Sequence, residues 1–513
     1  MKPVQLMVKN AIIYIPETDT YLNGSLAAED GIIVAMGRGT LPFEAERTLD
    51  ARGMLLLPGG VDPHVHLRDP GNTERETFAT GTMAAAAGGN TMLVEHPISK
   101  PPQYSPEILQ RRIDAAKPQA FVDYGFVGAA GGARPHSILQ LAEDGRILGY
   151  KTFLHAPPNG RKLEFEGLTM GDDYELYRGL QAVAKTGHHC LVHAEDDDLI
   201  KGLTAEYRAR GKVYPLAHAE TRPAIAEAAS VRRVIGFAKE TGAAIEFCHI
   251  STPEAARIIK EEKQKGTRLF METCPHYLLL STDDLQEKGP YAKCNPPLRS
   301  PQDRDRLWDY IEDGSIDMIG SDHAPFLKEE KERGREDIFQ AMSGFPGLEL
   351  RMSLMLTAVK QGRLPLKRCV ELLCVNPAKI FGIYPQKGTL QIGGDADFTI
   401  VDMDNQFTVK RESMYTKAKE IAWVYEGWRL YGRPVFTAVR GRIVLEEGVV
   451  DPSCRGHGTL VTRRQEEESR WEKSRASHCS EEGCTAACYP EGKSPEACYP
   501  EGKRPAAGGE GGL

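Results

Sequence analysis

Residues 54–66 read Met54-Leu55-Leu56-Leu57-Pro58-Gly59-Gly60-Val61-Asp62-Pro63-His64-Val65-His66. A short apolar run leads into two histidines one residue apart, and residues two apart in a strand share a face. Two imidazoles on one face at the end of a strand can hold one metal ion. Barrel enzymes keep their sites at the C-terminal mouth of the strands. The stretch is therefore read as the first strand of a (β/α)8 barrel of the α/β class, with His64 and His66 at its mouth.

The pattern around it agrees. From about residue 56 to 384, brief apolar runs alternate with segments of helical period such as Pro106 to Ala116, Tyr174 to Thr186 and Ala224 to Thr241. Repeated βα units imply a parallel sheet closed by helices. Four later runs end in a group able to bind metal or carry charge: Lys151 after Ile147 to Tyr150, His193 after Cys190 to Val192, His249 after Ile245 to Cys248, and Asp322 after Met318 to Ser321. Singly, each has a plain explanation: a core histidine, a snorkelling lysine, a helix cap. Six such groups ending strands of one barrel make a metal site the better reading.

In that reading His64, His66 and Asp322 hold one ion and His193 and His249 the other. A lysine needs its own reason, because an ammonium cannot ligate a cation. Burial disfavours a charged amine, and a neutral one can add carbon dioxide to form a carbamate able to bridge two ions. Lys151 is the candidate for that bridge. Nitrogen and oxygen ligands without thiolate favour two zinc ions, with manganese or cobalt as substitutes. Asp322 is also the candidate catalytic acid and base, taking a proton from the attacking water and handing it to the leaving amide nitrogen.

The first 55 residues alternate apolar runs with turn residues, and strand signatures return at Asp397–Val401 and Thr437–Val444. The expected organisation is residues 1–55 and 385–461 as two parts of one strand domain flanking a barrel at 56–384. Residues 462–513 turn polar and repeat Ala-Cys-Tyr-Pro-Glu-Gly-Lys, which reads as a disordered tail. The tail cysteines Cys479, Cys484, Cys488 and Cys498 lack a metal-binding spacing, and Cys190, Cys248, Cys274, Cys294, Cys369 and Cys374 lie singly, as reduced buried thiols do. With 64 basic against 72 acidic residues the net charge is −8, so no footprint for nucleic acid is expected. Neither a leader nor an apolar run long enough for a membrane is evident, and a cytoplasmic protein is expected.

The combined motifs resemble those of the cyclic amidohydrolases, the family of dihydroorotase, allantoinase, dihydropyrimidinase and hydantoinase. They are Pro58 to Gly71, Gly149 to Leu154, Val192 to Glu195, Cys248 to Ser251, Glu272 to Tyr277 and Gly320 to Pro325, within a resemblance covering residues 1 to 460. It implies a carbamylated lysine, a β-sandwich built from both termini, and a homo-oligomer, often a dimer or tetramer. The substrate it implies is a small cyclic amide. Arg68 resembles the dihydroorotase arginine that grips a ring carboxylate, a job suited to guanidinium. Asn295 fits the same reading, so a dihydroorotase-like activity is expected first, with allantoinase or hydantoinase as alternatives. Ile98 and Phe326 depart from the dihydroorotase pattern, and Ala156 stands where dihydropyrimidinases carry a tyrosine. His96 and His155 are further candidates to bind substrate, and Gly344 to Glu349 to form a close-approach loop. A non-catalytic scaffold is the remote alternative, and the six metal-competent residues argue against it.

Overall fold

The computed structural model describes residues 3–157 and 160–463. Residues 464–513, and with them the tail cysteines and the reading of a disordered tail, lie outside the described residues.

The chain opens with β1 (Val4–Ile15), β2 (Thr20–Glu29), β3 (Ile32–Arg38), β4 (Ala45–Asp50) and β5 (Leu55–Pro58). Leu6 and Val8 of β1 enter one apolar cluster and Met7 another, so both faces of the strand are covered. The barrel follows as β6 (Gly60–Val65), β7 (Asn90–Glu95), β8 (Asp123–Ala129), β9 (Ile147–Phe153), β10 (His189–His193), β11 (Ala244–Phe247), β12 (Leu269–Thr273) and β13 (Met318–Ile319). The chain then returns as β14 (Phe398–Asp402), β15 (Phe407–Thr408), β16 (Arg429–Leu430), β17 (Arg433–Val439), β18 (Arg442–Glu446) and β19 (Val449–Val450).

Strands β6 to β13 lie side by side in chain order, all parallel where paired. The ring closes where Val65 bridges His323 and the His66 N–H donates to the His323 carbonyl at 3.0 Å. Every residue of β7, β8 and β9 is buried, because helices cover a parallel barrel outside and packed side chains fill it inside. That is why each carries a short apolar stretch, Met92–Val94, Phe126–Val127 and Ile147–Leu148, with its polar residues buried too. Helices occupy Pro106–Ala116 and Ala224–Thr241, as the apolar period predicts. The third starts at Asp173, because the Asp172 carboxylate accepts from the Glu175 N–H and caps it there.

The terminal strands form one nine-stranded sheet in which β5 joins the two ends, pairing with β1 and with β14. Leu55–Pro58, read from sequence as the approach to the first barrel strand, is thus a central strand of the sheet domain, and the chain crosses to the barrel at Gly59. The sheet also folds back on itself. The Ile33 N–H donates to Gly394 at 3.0 Å and the Ala396 N–H to Gly31 at 2.8 Å, so β3 meets the lead into β14 although several strands separate them along the sheet. Leu6, Ile13, Leu26, Leu56, Phe398, Ile400 and Phe436 share one buried cluster across this fold.

A buried charge cluster ties sheet to barrel. Lys387 Nζ contacts Asp123 of β8, Asp397 at 2.8 Å and Asp395 at 2.9 Å, and Arg440 also contacts Asp123. Removing one partner from such a cluster leaves buried carboxylates without their counter-charge. Lys387→Met is expected to cost about 3–5 kcal/mol, read as a lowered unfolding midpoint in urea; an unchanged midpoint would refute the staple. No helix among the described residues is long and apolar enough to cross a membrane.

Candidate metal centre and active site

β6 carries His64 on its last turn of pleat and His66 just beyond, both buried. Asp322 follows β13 on the short segment Gly320-Ser321. The segment is braced from both sides: the Asp62 carboxylate accepts from the Ser321 N–H at 3.0 Å and the His64 N–H at 3.2 Å. Gly320 is required, since a Cβ there would lie 2.8 Å from Glu272 Oε1 and 2.9 Å from the His64 Cβ. Asp322, His249 and Arg68 all adopt left-handed φ values, of +44°, +39° and +61°. Such backbone is uncommon outside glycine and persists where the surroundings over-determine it, as at functional sites.

The donor atoms are spaced as ligands. His64 Nε2 and His66 Nε2 lie 3.4 and 3.3 Å from Asp322 Oδ1, and His193 Nδ1 lies 3.0 Å from His249 Nε2. Two ligands about 2.1 Å from a shared ion, at square to tetrahedral angles, stand about 3.0–3.4 Å apart. Burial lowers the basicity of all four imidazoles, opposed at His193 by the Glu195 carboxylate. His66 Nδ1 and His249 Nδ1 are buried without a hydrogen-bond partner. Lys151 is fully buried, with Nζ 2.9 Å from Cys248 Sγ and 5.1 Å from the Phe153 ring centre. The residues present fit a pair of divalent ions. Burial pushes the Asp322 carboxyl up to about 8, with the Glu272 charge adding to the rise.

Outer carboxylates orient two of these rings. His64 Nδ1 faces Glu272 Oε1 at 3.0 Å and His193 Nε2 faces Glu195 Oε2 at 2.9 Å, with Arg222 also on Glu195. A carboxylate on one ring nitrogen holds the proton there and leaves the other nitrogen free to ligate. Sequence reasoning assigned neither glutamate a role. The available signal was the two-residue spacing of Glu195 from His193, and the place of Glu272 near the end of its apolar run.

These groups floor a cavity of about 730 Å³ lined by His64, His66, His193, His249 and Asp322. Arg68, His155 and Asn295 line it as well, and Asn295 Oδ1 and the Nε and Nη1 of Arg68 are buried without partners. The Phe326 ring lies 5.0 Å from the Arg68 guanidinium, which burial and the neighbouring Arg161 and Arg75 push down to about 9. His155 turns Nδ1 to the Ala156 carbonyl at 2.7 Å. His96 stands apart from the lining: it stacks on His64 at 3.8 Å between ring centres, with Nε2 on the Pro63 carbonyl at 2.9 Å. Its position is that of a support for His64, reached because β7 runs beside β6.

A closed parallel barrel with histidines and an aspartate grouped at its mouth is an arrangement able to hold divalent ions where barrel enzymes keep their sites. The chain belongs to the amidohydrolase family, whose model matches residues 55–444. It is 35% identical to an L-hydantoinase of Paenarthrobacter aurescens over 91% of this chain and 99% of that protein. It is 34% identical to an allantoinase of Deinococcus radiodurans, over 88% of this chain and 98% of that protein. Among solved structures, an L-hydantoinase (dihydropyrimidinase) from Arthrobacter aurescens superposes with a TM-score of 0.84 at 34% identity, covering 90% of this chain and 100% of that one.

Proposed function

We propose that the protein hydrolyses the C–N bond of a cyclic amide, a five-membered ureide ring of the hydantoin or allantoin type. The observation that carries the reading is the ligand spacing of His64, His66 and Asp322, and of His193 and His249, on the floor of a cavity large enough for such a ring. Those five residues with a carbamate on Lys151 would hold two zinc ions, which supply Lewis acidity toward the carbonyl and lower the pKa of water.

The chain's own groups divide the remaining work. Asp322 takes the proton of the attacking water and returns it to the leaving nitrogen. Glu272 and Glu195 keep the His64 and His193 rings in their ligating tautomers. Asn295 Oδ1, unpaired and buried, suits a ring N–H. The cavity's apolar wall of Phe153, Phe165, Ile98 and Phe326 excludes water from the amide.

The substrate reading moves away from the carboxylated ring that Arg68 alone suggests. Hydantoinases and allantoinases are the relatives matched over nearly their whole length, and Phe326 covers one face of the guanidinium. The unpaired Arg68 donors then suit a ureido carbonyl oxygen on the ring substituent. Arg68→Met is expected to lower kcat/KM for allantoin about tenfold more than for hydantoin; equal losses would show that Arg68 does not read the substituent. Side-by-side assay of allantoin, hydantoin, dihydrouracil and dihydroorotate by zinc-loaded enzyme tests the whole reading. Turnover of dihydroorotate above the others would overturn it. A cytoplasmic homo-oligomer, dimer or tetramer, completes the proposal, and light scattering reads the oligomeric state.

A further inference from the structure

One part of the cavity wall is a loop: Ala341, Met342, Ser343 and Gly344 line it, just after a single 3-10 turn at Ile338–Gln340. Two buried lysines stand behind this loop. Lys331, on the helix Lys328–Glu332, is fully buried, and its Nζ donates to the carbonyls of Gly344 at 2.7 Å, Met342 at 2.9 Å and Lys293 at 3.1 Å. Lys293 Nζ donates to the carbonyls of Ala341 at 2.6 Å and Ile338 at 2.9 Å. Among the described residues, every hydrogen bond of these two ammonium groups goes to a main-chain carbonyl.

An ammonium has three donors and no acceptor, and Lys331 uses all three on carbonyls. This orientation has a consequence for the opposite side of the loop. In a trans peptide the carbonyl and the following N–H point in opposite directions. Holding the Met342 carbonyl on Lys331 therefore turns the Ser343 N–H away from the lysine. Ser343 lines the cavity, and among the described residues its N–H has no acceptor. The flanking amides are already engaged: the Met342 N–H donates to Glu330 at 3.1 Å and the Gly344 N–H to Lys293 at 2.8 Å. Gly344 at φ +133° lets the loop pass close to Ala324, where a Cβ would meet the Ala324 Cβ at 2.5 Å.

We infer that Lys331 is a positioning residue for substrate: by pinning the carbonyls of Met342 and Gly344 it sets the Ser343 N–H to donate to a carbonyl oxygen of the cyclic amide. The inference rests on the ring-opening reading above. Lys331 touches neither the metal ligands nor the reacting atoms, so its loss acts on binding more than on chemistry.

The test is Lys331→Met, which keeps the chain and deletes the donors, assayed on hydantoin with metal content measured in parallel. KM is expected to rise about tenfold or more, with kcat within about threefold and the metal retained. A folded, metal-replete variant with unchanged KM overturns the inference, as does a loss confined to kcat and metal content, which is what a merely structural lysine would produce. Should the variant not fold, amide hydrogen exchange on the Asp322→Asn protein carries the test. Added hydantoin is expected to slow exchange at Ser343, and an unchanged rate overturns the inference. Absence of ring opening by the unsubstituted enzyme on all four rings would remove the functional reading itself; ring opening with an unaffected Lys331→Met KM removes only the role of the lysine.

Discussion

Asp322→Asn is expected to lower kcat for ring opening by about 10²–10⁴-fold, with the fold and most of the bound metal retained. The asparagine keeps the shape of the side chain and an oxygen where Asp322 Oδ1 faces His64 Nε2 and His66 Nε2 at 3.4 and 3.3 Å. What it loses is the capacity to accept a proton, because an amide oxygen is not basic near neutral pH. Asp322 is 12% exposed, the side opening onto the cavity, so no other carboxylate need be displaced for it to reach the substrate. The measurement is steady-state kcat, with elemental analysis for zinc and circular dichroism for the fold. Turnover near the unsubstituted level would defeat the proton-carrying role while leaving Asp322 as a ligand.

Lys151→Ala is expected to abolish measurable turnover and to remove most of the bound metal, a larger disturbance than loss of any single histidine. Lys151 is fully buried, with its Nζ 2.9 Å from Cys248 Sγ, next to His249 in the chain. As an ammonium it would repel cations from that spot; as a carbamate it would supply two oxygens to them. The distinguishing observation is chemical rescue. A short carboxylic acid such as acetate, added with zinc, should restore part of the activity to Lys151→Ala by filling the vacated volume with a carboxylate. Lys151→Arg, which keeps a charge but cannot add carbon dioxide, should stay inactive and poor in metal. Full activity of Lys151→Ala without rescue would refute the bridge.

The candidate ligands were legible for a local reason. His64, His66, Lys151, His193, His249 and Asp322 each end an apolar run, and a barrel strand must be apolar along its length and can turn polar only where it reaches the mouth. Leu55–Pro58 misled for the same reason. A central strand of the sheet domain is as apolar as a barrel strand, and its pairing with β14 spans more than three hundred residues of chain, which no local pattern records. Glu272 was hidden inside a quoted motif, because its partner His64 lies 208 residues away. His96 shows the limit from the other side: its sequence position made it a candidate to bind substrate, yet the neighbouring strand decides that it stacks on His64 instead of lining the cavity.

By itself the sequence determined the barrel, the strand domain drawn from both ends, and the identity and order of the metal-competent residues, because periodicity and strand-end chemistry are properties of short segments. Tertiary structure alone decided which ligands face one another, that Phe326 lies on the Arg68 guanidinium, and that Lys331 is turned onto the carbonyls of a cavity loop. Those are contacts between segments distant in the chain. They depend on the closure of the ring and on how the loops at its mouth pack, which no short segment of the chain records.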